Sequence, residues 1–138
     1  MRTIPALLDT DILSAIMRRN PVVLPQAREY LREHDCFTFS ILTRYEILRG
    51  LKAKDANRQE RAFESFCDAN TVLPLSDDII VQAATIYADL HRRGELIGDA
   101  DILIGATARV QGFGVVTNNV SHFGRIKGLC IENWLSVS

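Results

Sequence analysis

The sequence predicts an α/β fold, with a short and mostly parallel central sheet flanked by helices. Two observations carry this. Short apolar runs recur at 4–8, 36–39, 71–75 and 114–117, each too brief for a helix. Between them lie longer segments with apolar residues three and four apart, the spacing of amphipathic helices. Strands that alternate with helices pair in parallel through crossovers, and their near-continuous apolar runs suit a sheet covered on both faces.

The run at 4–8 stops at Asp9-Thr10-Asp11, where Asp and Thr are good helix caps, so a helix begins at these acids. A second helical segment follows Pro21 through Ala27, Tyr30 and Leu31. Residues 36–39 read as a strand, and Ser40 as the N-cap of a helix with the stripe Ile41, Tyr45 and Leu48. Residues 52–57 are charged and polar and read as a turn; Phe63, Phe66 and Cys67 then mark a helical face. After the strand at 71–75, Ser76-Asp77-Asp78 caps the next helix and sets negative charge at its positive end. That helix has the stripe Ile79, Ala83, Ile86, Tyr87 and Leu90 and closes on Arg92-Arg93-Gly94. Between Asp99 and Gly112 nearly every position after Asp101 is apolar or small, which marks a helix buried most of the way round. Residues 114–117 are a further strand and 129–131 a last one. No repeat, low-complexity tract or linker divides the chain, so 1–138 reads as one domain.

Sixteen basic against seventeen acidic residues leave a net charge of -1. This excludes a generically basic nucleic-acid coat while leaving room for local basic patches. No apolar run approaches the ~20 residues that cross a bilayer, so no membrane is expected. The N-terminus lacks the ~7–15 apolar residues of a secretory signal. Cys36, Cys67 and Cys130 are odd in number, far apart and set beside apolar residues. They read as buried thiols rather than a disulfide scaffold or a zinc site, which makes a reducing cytoplasm the expected location.

Three acids stand out. Ligands of parallel α/β sheets bind at the carboxyl ends of strands, where strand order reverses. Asp9 stands at such an end, with helix capping as its plainer use. Glu46 borders the apolar face of its helix, where pairing with Arg49 is the alternative. Asp101 has Ile104, Gly105 and Ala108 at i+3, i+4 and i+7, none able to solvate a carboxylate. Free amides of a first helical turn would hold it, or else a cation. Asp99 adds a second charge, or caps the helix. If Asp9, Glu46 and Asp101 converge, their repulsion raises their pKa values. A hard divalent cation relieves that repulsion, and such an ion can drive phosphodiester hydrolysis. Spacing along the chain does not establish that the acids meet.

Four motifs, in order, add a resemblance that runs essentially end to end. They are Leu7-Leu8-Asp9-Thr10-Asp11-Ile12-Leu13; Thr43-Arg44-Tyr45-Glu46-Ile47-Leu48-Arg49-Gly50; Ile97-Gly98-Asp99-Ala100-Asp101-Ile102-Leu103-Ile104-Gly105-Ala106; and Val116-Thr117-Asn118-Asn119-Val120-Ser121-His122-Phe123, which continues to Glu132-Asn133-Trp134. With them the chain resembles the PIN domain, specifically the VapC-type toxin ribonucleases of prokaryotic toxin–antitoxin pairs. The resemblance implies a single PIN-like domain acting as a metal-dependent endoribonuclease on structured RNA, such as transfer or ribosomal RNA, and inhibiting translation until an antitoxin binds. It implies Asp9 and Asp101 as principal ligands of Mg2+, with Mn2+ as a substitute, and Glu46 as a third catalytic acid. Asn119 stands where the family often has a further acid, and Asp11 where Asn is common. Asp99, Asp11, Asn119 and Thr117 are candidate supporting residues, and Arg44 and Arg49 candidate RNA contacts. His122 is read as an ordinary loop residue outside the catalytic set. The family also implies a homodimer, for which the surroundings of Tyr30, Phe63 and Phe66 are the candidate faces.

Two rival readings remain. Asp9-x-Asp11 and the later Asp99-Ala100-Asp101 also resemble motifs of haloacid-dehalogenase-type phosphatases, whose first Asp attacks phosphate. Leu13 stands there where Thr or Val is expected, and Glu46 goes unexplained. The other rival is a non-catalytic PIN-like binding module, whose acids receive a partner's Arg or Lys.

Overall fold

Side chains alternate across a strand, and that alternation builds this core. The first strand, β1 (Ala6–Leu8), is buried at all three positions. Ala6 and Leu8 enter one apolar cluster with Phe39, Phe63, Tyr30 and Trp134, while Leu7 enters another with Ile79, Ile86, Leu90 and Ile104. The two clusters occupy opposite faces of the sheet. In the computed structural model, which describes residues 4–136, helices cover both.

The elements run β1, α1 (Thr10–Met17), α2 (Leu24–Glu33), β2 (Thr38–Ser40), α3 (Ile41–Ala53), α4 (Asn57–Ala69), β3 (Thr71–Leu73), α5 (Asp77–Arg93), α6 (Asp99–Gln111), β4 (Gly114–Val116), α7 (Val120–Phe123) and β5 (Ile131–Glu132). The five strands stand in the order β3-β2-β1-β4-β5, and every neighbouring pair is parallel. This is the expected α/β class. Strand order reverses between β1 and β4, so the carboxyl ends of those two strands form the switch point.

The punctuation works as expected. The Ser40 hydroxyl accepts from the Leu42 amide at 3.1 Å, and the Ser76 hydroxyl from Ile79 at 3.3 Å. Gly94 and Gly112 end α5 and α6 in the left-handed region, at φ 68° and 72°, which L side chains rarely adopt.

Several expectations change. In α3 the stripe Ile41, Tyr45, Leu48 holds only at Leu48, which packs against the core, since Ile41 is 38% and Tyr45 58% exposed. The helix turns the neighbouring flank inward, burying Thr43 and packing Ile47 and Leu51 against the core. It also runs through Lys52 to Ala53, so the turn expected at 52–57 is shorter. Tyr87 is exposed on α5. Of the three thiols only Cys67 is buried; Cys130 is exposed, and all three are free. Tyr30 and Phe63 are themselves core residues, while Phe66 is only partly buried.

Candidate functional site

The site grows from the reversal of strand order. Asp9 directly follows β1, and its amide donates to Val116 of β4 at 2.9 Å. Its side chain is pinned at both oxygens: Oδ1 accepts from the Thr10 amide at 2.8 Å and Oδ2 from the Thr117 hydroxyl at 2.8 Å. Asp9 thus caps α1 and stands at the switch point at once. It is only 7% exposed. Burial, then the charge of Asp11, pushes its pKa up to about 6 against the pull of Thr117 and Thr10, and the charge of Asp101 adds to the rise.

Asp11 shares this field. Its Oδ1 accepts from Ile12 at 2.7 Å and its Oδ2 from the Asn118 amide at 3.0 Å, a link between α1 and the loop after β4. Burial raises its pKa, the two amides lower it, and the charge of Asp101 raises it further. Asp101 enters from the first turn of α6. His122 Nδ1 stands 3.1 Å from Asp101 Oδ2, with Asn119 Nδ2 2.8 Å from that nitrogen and 3.4 Å from that oxygen. The ring nitrogen serves one neighbour at a time, donating to Asp101 when it carries the proton and accepting from Asn119 when it does not.

Glu46 joins through a neighbour. Thr10 donates its hydroxyl to Glu46 Oε1 at 2.6 Å and lies 3.2 Å from the buried Thr43 hydroxyl. The residue beside Asp9 therefore fixes the acid of α3. Thr117, fully buried, both donates to Asp9 and accepts from the Asn119 amide at 2.9 Å. Asp9, Asp11, Asp101, Glu46, Thr117 and Asn119 come together, while Asp99 lies exposed beyond Gly98, which takes the cap position of α6.

The basic candidates separate. Arg44 turns to α4, where Glu64 takes its guanidinium through contacts of 2.5 and 3.2 Å and Cys67 Sγ accepts at 3.3 Å. Arg49 is exposed, with its guanidinium 5.2 Å from the Tyr45 ring centroid and 3.9 Å from Glu46 Oε2. His122 is the residue the spacing left out; its one sign in the sequence is its place three residues beyond Asn119, on a helical turn too short to show a period.

The donors here are carboxylate, hydroxyl and amide oxygens, the set a hard divalent cation takes. Among the described residues no group of three or more His, Cys, Asp or Glu side chains gathers tightly enough to hold an ion. A divalent cation here would be held by one or two carboxylates, with water or substrate phosphate completing the shell.

The comparisons with known proteins agree with this geometry. A model of the PIN domain matches residues 6–129. Ribonuclease VapC2 of Haemophilus influenzae is 30% identical over 130 residues, covering 94% of this chain and 97% of that protein. The tRNA(fMet)-specific endonuclease VapC of Shigella flexneri is 29% identical, over 93% of this chain and 96% of that one. A solved structure of DNA-bound VapBC from Salmonella typhimurium superposes with a TM-score of 0.83 at 27% identity, covering 96% of this chain and 99% of that one. The phosphatase reading of Asp9 and Asp11 falls here, because the family match over residues 6–129 and the Thr10–Glu46 link follow the other resemblance. With its acids gathered at the β1–β4 switch point and the match spanning nearly its whole length, the chain belongs to the PIN-domain family, among proteins of the VapC type.

Proposed function

We propose that this protein is the toxin endoribonuclease of a toxin–antitoxin pair, hydrolysing phosphodiester bonds of structured RNA with Asp9, Glu46 and Asp101 as its working acids. Mg2+ is the ion of this reading, with Mn2+ able to replace it. The observation that carries it is Asp9: a buried carboxylate at the switch point, facing the charges of Asp11 and Asp101, with its pKa pushed to about 6. A buried carboxylate beside like charges in a cleft is the physical mark of a candidate functional site. The Haemophilus relative is named a ribonuclease and the Shigella relative a tRNA(fMet)-specific endonuclease, which supports RNA, and transfer RNA in particular, as the substrate class. The Salmonella neighbour is a VapBC complex on DNA, which supports an antitoxin as partner. A cytoplasmic homodimer completes the reading.

When bound, a divalent cation supplies Lewis-acid polarisation of a phosphoryl oxygen and a water acidic enough to lose a proton near neutral pH. The chain supplies position. Thr117 and the Thr10 amide fix both oxygens of Asp9 before substrate arrives, and preorganised charge of this kind lowers the reorganisation needed during reaction. Asp101 is steadied by His122 and Asn119. Thr10 occupies Oε1 of Glu46, and Oε2, with the exposed Arg49 guanidinium 3.9 Å away, is the oxygen that orients the attacking water and takes its proton. Asn119 contributes no charge where the family often has an acid, while Asp11 adds one where Asn is common.

The test is cleavage of total cellular RNA by antitoxin-free protein with Mg2+, with EDTA, and with Asp101→Asn alongside. Discrete products that need both the metal and Asp101 are expected, and mapping their ends names the target. Folded, metal-loaded protein that yields no products overturns the reading in favour of a binding module.

A further inference from the structure

Gly50 stands inside α3, where glycine is among the least favourable helix residues. Close packing usually explains such a glycine. It explains Gly105, where an added Cβ would lie 2.5 Å from Ile126 Cδ1, and Gly124, where it would lie 2.8 Å from the Val120 carbonyl oxygen. At Gly50 an added Cβ would meet nothing within 4 Å, and φ is not in the left-handed region. The folded chain by itself therefore gives no reason for glycine at this place.

What lies over Gly50 is an open groove of about 370 Å³ shared by α1, α3 and α4. Its apolar lining is Met17, Ile47 and Leu51, its inner end is Thr10 and Glu46, and Arg18 and Lys54 contribute cations. Glu46, Gly50 and Lys54 follow one another at intervals of four residues, so the catalytic acid, a bare stretch of backbone and a cation lie along one line, ~6 Å apart in rise. Neither Arg18 nor Lys54 has an ion-pair or hydrogen-bond partner for its side chain among the described residues, whereas Arg44, Lys52 and Arg93 are each held by an acid.

We propose that this groove is a nucleotide subsite for the RNA substrate: an unpaired base next to the cleaved bond lies flat over the Gly50 backbone, with adjoining phosphates at Arg18 and Lys54. The assignment rests on the ribonuclease reading above and adds to it where the strand runs. A base has a flat apolar face for Met17, Ile47 and Leu51, and unpaired bases are what proteins reach most readily in RNA. A polyanion answers the two unpartnered cations. Glycine lets a ring approach the helix backbone more closely than any side chain would permit.

The experiment compares Gly50→Ala, Gly50→Leu, Arg18→Gln and Lys54→Gln with wild type, by thermal melting and by steady-state cleavage of a transcript of the region that wild type cuts. Gly50→Ala is expected to melt about 3 °C higher, because alanine favours the helix and fits the open space, yet to raise KM several-fold. Gly50→Leu is expected to raise KM more than tenfold. Each Gln variant is expected to raise KM and to reduce the salt dependence of binding by about one ion. If wild type cleaves and Gly50→Leu keeps its KM, the subsite is overturned while the ribonuclease reading stands. The same holds if Gly50→Leu keeps its KM and loses only neutralisation by the antitoxin. A wild-type protein that cuts no RNA overturns both.

Discussion

Burial and the charge of Asp11 set the cost of ionising Asp9, and that cost reappears in stability. Its folded pKa of about 6 exceeds the ordinary 3.8. A group raised in this way stabilises the fold fully below its unfolded pKa, and the contribution is lost as pH rises through the folded one. In chelator near pH 8, ionised Asp9 therefore costs roughly 3 kcal/mol. Asp9→Asn removes the charge but gives up one of two hydrogen-bond acceptors, which offsets about 1 kcal/mol of the gain. The variant is expected to melt several degrees above wild type near pH 8 and to lose that advantage below pH 4; a constant difference across the range would count against the mechanism. At this scale the sequence was informative where chemistry is local. Asp9 and Asp101 stand out because each follows or opens an apolar segment with nothing beside it to solvate a carboxylate. Arg44 could not be placed, because its partner Glu64 lies on another helix, 20 residues away.

Elements were legible where side chains punctuate them and illegible where faces compete. Ser40, Ser76, Gly94 and Gly112 mark their helix ends by hydrogen-bond geometry and positive φ, which are fixed by residue type. The inward face of α3 is different. Ile41, Tyr45 and Leu48 form the more apolar stripe, yet the helix buries Thr43, whose hydroxyl finds Thr10 across the packing interface. A polar residue satisfied by a distant partner reads as exposed in one dimension. The four-residue α7 left no period at all, although it carries His122 to Asp101. Its geometry depends on Gly124, since a Cβ there would come within 2.8 Å of the Val120 carbonyl oxygen, which is backbone and cannot swing aside. Gly124→Ala is expected to cost about 1–3 kcal/mol in chemical unfolding and to lower cleavage through displacement of His122. Unchanged stability would mean that the turn relaxes freely.

Over the whole molecule, alternation of strand and helix predicted a parallel sheet, but not the order of its strands. Order depends on which strands meet, and the pairing of β1 with β4 is what brings the Thr117 hydroxyl to Asp9. The switch point could be named as a type of place and not located. The same convergence predicts a global response to metal. A cation that binds only the folded site stabilises it by mass action, about 2.7 kcal/mol at a hundredfold excess over Kd. Wild type is expected to show a saturable rise in Tm with Mg2+ that Asp101→Asn largely lacks; equal rises in both would place the ion elsewhere. Net charge, at -1, gives no hint of this, because a sum over the whole chain carries no position.

The hydrogen bond from Thr117 to Asp9 joins residues 108 positions apart. Synthesis is vectorial, and β4, which flanks β1 and is followed directly by Thr117, leaves the ribosome long after β1. A nascent chain that stops short of it has Asp9 without its hydroxyl partner and β1 without one neighbour. Asp9 thus gains its hydroxyl partner only when a segment made long after it arrives, a delay written into the topology alone.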